Sequence, residues 1–126
     1  MVASLPERMT AIGFDEPGGP DVLVAKDCPV PEPGANQVLI KVSHAGVNRP
    51  DVIQRQGLYP PPPGASPLPG LEVSGVVVAI GEGAPPEMLN QPVCALVSGG
   101  GYAEYCLAHS GHCLHVPDRM PMDEAA

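Results

Sequence analysis

The sequence has few aromatic residues and few basic ones. It contains one Phe, three Tyr and no Trp, so aliphatic side chains must supply most of any core. Six Lys and Arg residues stand against 14 Asp and Glu residues, which gives a net charge of −8. Because phosphate-contacting surfaces need clustered basic residues, this balance argues against a nucleic-acid partner and against an anionic membrane surface.

Long apolar runs and ordered cysteine motifs are also missing. No apolar stretch reaches the roughly 18 residues that a membrane-spanning helix needs, and the start MVASLPERMT has no signal-peptide hydrophobic region. The four cysteines, Cys28, Cys94, Cys106 and Cys113, follow neither a disulfide framework nor a C-x-x-C motif. These absences predict a reduced, cytoplasmic protein.

Glycine and proline are abundant, with 15 and 18 residues among 126. They separate short runs rich in Val, Ile and Leu instead of forming one low-complexity tract, which indicates many short strands in one domain. We predict strands at residues 8–14, 22–24, 37–47, 71–80, 93–97, 102–108 and 113–116. The strands at 93–97 and 102–108 are predicted to form a hairpin through the SGGG segment. Because closure removes strand edges, this pattern favours a mainly β fold, a closed or nearly closed β-barrel.

Residues 37–47, QVLIKVSHAGV, give the clearest strand. Alternation places Val38, Ile40 and Val42 on one face, which we predict to be core, and the intervening residues on a face that is partly wet. The final PMDEAA segment has the composition of a helix start, with no helix to follow.

A short helix is predicted directly after this strand. Asn48 can act as its N-cap, Pro50 fits its first turn, and Asp51 lies near its positive end. The helix should run to about Gln56 and end at Gly57. Four consecutive prolines, 60–63, follow Tyr59 and make a stiff segment beside it.

Three motifs carry a family resemblance: N-R-x-D-x-x-Q-R-x-G-x-Y, G-L-E-x-S-G and G-G-G-Y-A-E-Y, in that order. From about Met9 to the last residue the chain resembles the N-terminal half of the zeta-crystallin-like quinone oxidoreductases of the medium-chain dehydrogenase/reductase superfamily. The resemblance implies a GroES-like, partly open β-barrel with one or two short helices over residues 1–126. It also implies NADPH-dependent hydride transfer to a quinone or an enone.

The resemblance further implies that a Rossmann cofactor domain is absent from the chain. No G-x-G-x-x-G lies between a strand and a helix, since the glycines 99–101 lead into a strand. Zinc-dependent relatives carry a Cys where this chain has Asn48 and a His where it has Leu71. An amide and a leucine cannot build a zinc shell, so we predict no metal, and a fragment that is inactive without its cofactor domain.

The resemblance points to Asn48, Asp51 and Tyr59 as catalytic residues, with Asn48 and Tyr59 also contacting the nicotinamide. Asn48 offers an amide N–H and Tyr59 a phenol and a ring face to an acceptor that gains negative charge. Structural alternatives remain for each: an N-cap for Asn48, an organiser of the turn for Asp51 and a packed rim residue for Tyr59. Glu72 is a weaker candidate, which could instead pair with Arg49.

The segment HSGHCLH, residues 109–115, is interpreted as a turn between strands and not as a metal site. Two other functions stay open beside the quinone oxidoreductase: a stand-alone GroES-like binding or assembly module, and an enoyl reductase of the same superfamily. The partners expected are a quinone or enone and, in the full-length protein, a second copy in a homodimer.

Overall fold

The computed structural model describes residues 4–126 and is mainly β. In chain order its strands and helices are β1 (Arg8–Gly13), β2 (Val24–Pro29), β3 (Gln37–Ala45), α1 (Arg49–Arg55), β4 (Glu72–Ile80), β5 (Pro92–Leu96), β6 (Tyr105–His109), β7 (Cys113–His115) and α2 (Met122–Ala125). The prediction of a mainly β fold with one or two short helices is confirmed.

The strands form two antiparallel sheets. β1 and β2 make a two-stranded sheet, and the larger sheet has the strand order β6-β3-β4-β5-β7. A bridge between Ala11 and Ala103 connects the sheets just before β6 begins. Beside this bridge, the Ile12 N–H donates to the Tyr102 carbonyl at 2.7 Å.

The larger sheet is strongly curled. β6 and β7 are its two outermost strands, yet a single 3₁₀ turn, Ser110–His112, joins them. The Cys113 thiol reaches the His109 carbonyl at 3.6 Å across this turn. Within residues 4–126 no ladder joins β6 to β7, so the two sheets are not closed into a barrel, and the closed form that the sequence favoured is not what these residues build.

The main hydrophobic core lies inside the curl. Val38 and Ile40 of β3 pack there with Val73 and Val77 of β4, all fully buried. Alternation in β3 therefore holds for the inner face. The outer face is less exposed at Leu39 than predicted, because this side chain is buried in a second cluster with Met9 and Tyr105.

The hairpin predicted across the SGGG segment is wrong. β5 pairs with β4 and β7, whereas β6 pairs with β3, so the two strands are not neighbours. The glycine segment instead runs against the loop before β4. There Gly100 N–H donates to the Leu68 carbonyl at 2.8 Å, and Gly101 N–H donates to the Gly70 carbonyl at 3.1 Å.

Two other boundaries differ from the sequence-based expectation. Residues 22–24 were expected to be extended, but Pro20–Val22 form a 3₁₀ turn and the strand begins at Val24. At the end of the chain, Met122–Ala125 do form one helical turn. This turn packs on the outer face of the sheet, where the fully buried Ser74 donates its hydroxyl hydrogen to the Met122 carbonyl at 2.5 Å.

No helix within residues 4–126 combines the length and the apolar composition needed to cross a membrane.

Candidate functional site

The predicted site residues lie at the two ends of α1. Asn48 is the N-cap, as predicted, with extended backbone at φ −130° and ψ 161°. Tyr59 follows two residues after Gly57, which ends the helix with φ 84°. At about 1.5 Å per residue, the helix separates the two ends by roughly 10 Å.

The C-terminal end of α1 is a tightly bonded turn. Gly57 N–H donates to the Gln54 carbonyl at 2.9 Å, and Leu58 N–H reaches back to the Ile53 carbonyl at 3.0 Å. This pair of bonds is a Schellman motif, which needs a residue with positive φ after the helix. The prediction that Gly57 stops the helix is confirmed.

Asp51 is the centre of a buried polar network. Only 5% of the residue is exposed, and its carboxylate accepts three hydrogen bonds: from the Asn48 backbone N–H at 2.9 Å, from the Tyr102 hydroxyl at 2.7 Å and from the Gly70 N–H at 3.3 Å. The donors come from three segments that are far apart in sequence. Asp51 therefore ties the start of α1 to the loop before β4 and to the segment before β6.

The Asn48 side chain is held by Glu72. Its amide nitrogen donates to Glu72 Oε1 at 3.0 Å. Gly46 makes room for this arrangement, since a Cβ atom there would collide with the Glu72 carboxylate. The alternative pairing of Glu72 with Arg49 is not formed among residues 4–126, where the carboxylate accepts from the Asn48 amide instead.

Burial raises the pKa of the Tyr102 phenol well above its ordinary value of about 10, and the hydrogen bond to the Asp51 carboxylate and its negative charge raise it further. Because folding raises the pKa of Tyr102, its phenol stays protonated in the folded protein at a pH where the unfolded chain has lost the proton. The free energy of unfolding should therefore not depend on this group below about pH 10, and should fall as the pH rises further.

We expect the phenolate absorbance that distinguishes the wild type from Tyr102→Phe to be missing at pH 10 to 11 and to develop only at higher pH, as long as the protein is folded. The measurement is a spectrophotometric pH titration of both proteins, with circular dichroism to monitor folding. A Tyr102 transition centred near pH 10 in the folded protein would contradict the geometry of the network.

Tyr59 lines a small groove at the other end of α1. The groove has a volume of about 240 Å³. Its other lining residues are Phe14, Gln54, Gly57, Pro60, Pro61 and Pro67. None of these is charged, and within residues 4–126 the Tyr59 hydroxyl has no hydrogen-bond partner. Tyr59 is 38% exposed as a residue.

A larger cavity, of about 680 Å³, lies on another side of the fold, between β2, residues 62–68, residues 98–100 and β6. Neither Asn48 nor Tyr59 lines it. Cys106 does, but burial and then the neighbouring Cys113 raise the pKa of its thiol to about 12. The thiol is therefore protonated at neutral pH and is a poor nucleophile.

The histidine-rich segment forms the turn that the sequence predicted. His109 ends β6, and its Nδ1 accepts from the Gly111 N–H at 3.0 Å. The rings of His109 and His112 lie 5.2 Å apart between centroids. In the described part of the chain, no group of three or more His, Cys, Asp or Glu side chains is placed to hold a metal ion.

The sequence located the ends of α1 but missed three members of the site. The sequence predicts Tyr102 within a strand, but it precedes β6 and its hydroxyl donates to Asp51. Gly70 supplies a backbone donor, and Gln54 is buried with its amide donating to the Pro67 carbonyl at 3.0 Å. Tyr102 and Gly70 stand in the G-G-G-Y and G-L-E motifs, which were the available signal.

Comparison with known proteins agrees with this architecture. A family model described as "Alcohol dehydrogenase GroES-like domain" matches residues 34–118. The chain is 38% identical over 120 residues to the quinone oxidoreductase of Lama guanicoe, covering 94% of this chain and 36% of that protein. The chain thus spans about a third of the length of the curated quinone oxidoreductases that it matches.

Solved structures show the same fold. The quinone oxidoreductase of Coxiella burnetii superposes with a TM-score of 0.85 at 30% identity, over 94% of this chain and 40% of that one. A mycobacterial protein solved in complex with NADPH superposes with a TM-score of 0.76 at 36% identity, over 90% of this chain and 34% of that one. The resemblance to the quinone oxidoreductases of the medium-chain superfamily is confirmed, and the chain belongs to the alcohol dehydrogenase GroES-like domain family.

Proposed function

We propose that this chain is the N-terminal, acceptor-binding part of an NADPH-dependent quinone oxidoreductase. The observation that carries the proposal is the uncharged groove at the end of α1, where Tyr59 presents a free hydroxyl and an exposed ring. A flat, uncharged acceptor fits an apolar slot with one polar contact. The identity of 38% to a quinone oxidoreductase supports a quinone as that acceptor.

The residues of this chain suit the nicotinamide end of NADPH and not its phosphates. The N-terminus of α1, which could otherwise attract a phosphate, is already occupied by the Asp51 carboxylate. Glu72 adds a second carboxylate beside Asn48. The groove around Tyr59 has no charged residue, so it offers a phosphate no basic partner. We therefore assign the phosphates, in this proposal, to polypeptide outside residues 4–126.

When bound, NADPH supplies the hydride, and this chain orients the acceptor. Tyr59 offers its ring face for stacking and its O–H to an acceptor oxygen. The Asn48 amide has two N–H groups. One bonds to Glu72, and the other is left for an oxygen that gains negative charge. Asp51, which already accepts three hydrogen bonds from within the chain, acts by holding Asn48 in place.

Replacing Tyr59 with Ala should lower kcat/KM for a quinone by roughly tenfold, which is the loss of about 1.4 kcal/mol of stacking and hydrogen bonding. Steady-state oxidation of NADPH by the full-length protein measures this. Leu114→Ala is a matched control, because Leu114 is also exposed, at 70%, but lies on β7. An unchanged kcat/KM in Tyr59→Ala, with normal folding, would remove Tyr59 from the site.

Two alternatives remain beside this proposal. A stand-alone GroES-like binding or assembly module requires that the gene end at Ala126, which sequencing the reading frame tests. An enoyl reductase would differ only in its acceptor. Turnover with a panel of quinones and enones distinguishes the quinone oxidoreductase from the enoyl reductase. The rate is measured as the loss of NADPH absorbance. The full-length protein should prefer the quinones, and a preference for enones would favour the alternative.

A further inference from the structure

Two polar side chains line the groove at the end of α1, those of Tyr59 and Gln54. We propose that Gln54 is a specificity-determining residue, whose amide oxygen selects acceptors that carry an uncharged hydrogen-bond donor on the ring, such as a hydroxymethyl group. This inference deepens the proposed function and rests on it, since it takes the groove as the acceptor site. It concerns the choice among quinones, which the proposed function leaves open.

The orientation of the Gln54 amide is fixed by its partner. Gln54 lies on α1, and its Nε2 donates to the Pro67 carbonyl at 3.0 Å. A carbonyl oxygen can only accept a hydrogen bond, so the amide nitrogen must face Pro67 and the amide oxygen must point away from it. Only 6% of Gln54 is exposed, and close packing leaves a buried side chain few other rotamers.

The Gln54 amide oxygen has no partner of its own. Within residues 4–126 the hydrogen bond to Pro67 is the one that this side chain makes, and it uses the nitrogen. In the same part of the chain, every fully enclosed side-chain nitrogen and oxygen atom has a hydrogen-bond partner. The Gln54 Oε1 atom is therefore not enclosed, although the residue is almost completely buried. Because Gln54 lines the groove, the groove is where this oxygen is accessible.

An accessible acceptor in a narrow groove discriminates between ligands. Water bonds to such an oxygen when no ligand is present. A ring that fills the groove displaces this water, and the lost hydrogen bond lowers the affinity by roughly tenfold or more unless the ligand supplies a donor. The two oxygens of a quinone are acceptors, as Gln54 Oε1 is, so the donor has to come from a ring substituent. Sites that bond a donor in this way strongly reject analogues without one.

The groove also limits the size and the charge of the acceptor. A cavity of about 150 Å³ holds one benzene ring, so a groove of about 240 Å³ has room for one ring with short substituents. The groove has no carboxylate to pair with a cationic substituent, which would lose its hydration there. Tyr59 donates to a quinone carbonyl, and Gln54 accepts from the substituent. The acceptor that fits best is a single-ring quinone with one short, uncharged donor.

The test compares hydroxymethyl-benzoquinone with ethyl-benzoquinone as acceptors for NADPH oxidation by the full-length protein. The two quinones have nearly the same size and differ by an O–H in place of a methyl group. We expect kcat/KM to favour the hydroxymethyl quinone by about tenfold in the wild type. The preference should disappear in Gln54→Met, which keeps the length of the side chain and has no amide. A preference that is missing from the wild type, or that persists in Gln54→Met, would overturn the assignment.

Gln56→Met is the matched control. Gln56 lies at the same end of α1, but it is exposed and does not line the groove, so the tenfold preference should remain in this variant. The preference is a ratio of two rates of one enzyme, so partial unfolding of a variant lowers both rates equally and leaves the ratio unchanged. Equal ratios in Gln54→Met and Gln56→Met would contradict a role for the Gln54 oxygen.

A binding measurement separates this inference from the proposed function. Benzyl alcohol and benzyl methyl ether are single rings with and without an O–H donor, and neither accepts a hydride. We expect benzyl alcohol to bind about tenfold more tightly, measured in NMR titrations by the shifts of the Gln54 side-chain amide resonances of the ¹⁵N-labelled full-length protein. A protein that reduces no quinone would end the proposed function, and this titration alone would then decide the donor preference. Equal dissociation constants for the two probes would refute that preference.

Discussion

Gly70→Ala should lower the free energy of unfolding by about 4 kcal/mol, from backbone strain and from overpacking together. Gly70 has φ 104°, which side-chain-bearing residues rarely adopt. A Cβ atom there would lie 2.6 Å from the Tyr102 nitrogen and 2.7 Å from the Gly101 Cα. Because these are backbone atoms, no rotamer change can relieve the contact. Thermal or urea unfolding of both proteins measures the difference.

Gly64→Ala is the matched control for this change. Gly64 also has a positive φ, 81°, but a Cβ atom there would meet nothing within 4 Å. It should therefore cost only the strain of the left-handed conformation, about 1 kcal/mol. The difference between the two variants isolates the collision between the loop before β4 and the glycine segment. Equal losses in the two variants would show that this close approach is not present in solution.

Asp51→Asn should lower the free energy of unfolding by about 3 kcal/mol. One carboxylate oxygen becomes an NH2 group, which cannot accept a hydrogen bond, so at least one buried donor loses its acceptor. For a domain of this size, that corresponds to a fall in melting temperature of roughly 10 °C. The side chain keeps its shape, so packing changes contribute little. The variant leaves the three donors, from Asn48, Gly70 and Tyr102, with fewer acceptor positions.

Asp118→Asn provides the control for the change in net charge. Asp118 is exposed and lies in a surface turn, so its substitution should alter stability by less than about 0.5 kcal/mol. Combining Asp51→Asn with Tyr102→Phe should cost less than the sum of the two single changes, since both remove the same hydrogen bond. Additive losses, or an Asp51→Asn variant as stable as the control, would contradict the central role of the carboxylate.

Local features of the sequence predicted the elements that frame the site. The alternation of residues 38–42 identified β3 and its inner face, because side chains in a strand point in turn to opposite sides. Asn48 and Gly57 identified the two ends of α1 from the needs of helix termini. These signals depend on neighbours within a few residues, so a sequence read in isolation carries them.

The order of the strands was not accessible in the same way. The SGGG segment is a fair hairpin signal, but its N–H groups are satisfied by the loop at residues 66–70. Glycines permit this because they let two backbones approach closely. Whether β5 and β6 pair as a hairpin or lie apart in the sheet therefore depends on a loop about 30 residues earlier. No pattern among neighbouring residues predicts that contact.

By itself, the sequence determined the mainly β composition, the short capped helix and the motifs shared with the quinone oxidoreductases. Only the tertiary structure decided which groups donate to Asp51, that Leu39 is buried and that Asn48 donates to Glu72. The physical reason is the range of the interactions. Capping and alternation act between residues close in the chain, whereas the satisfaction of a buried carboxylate joins donors 19 and 51 residues away.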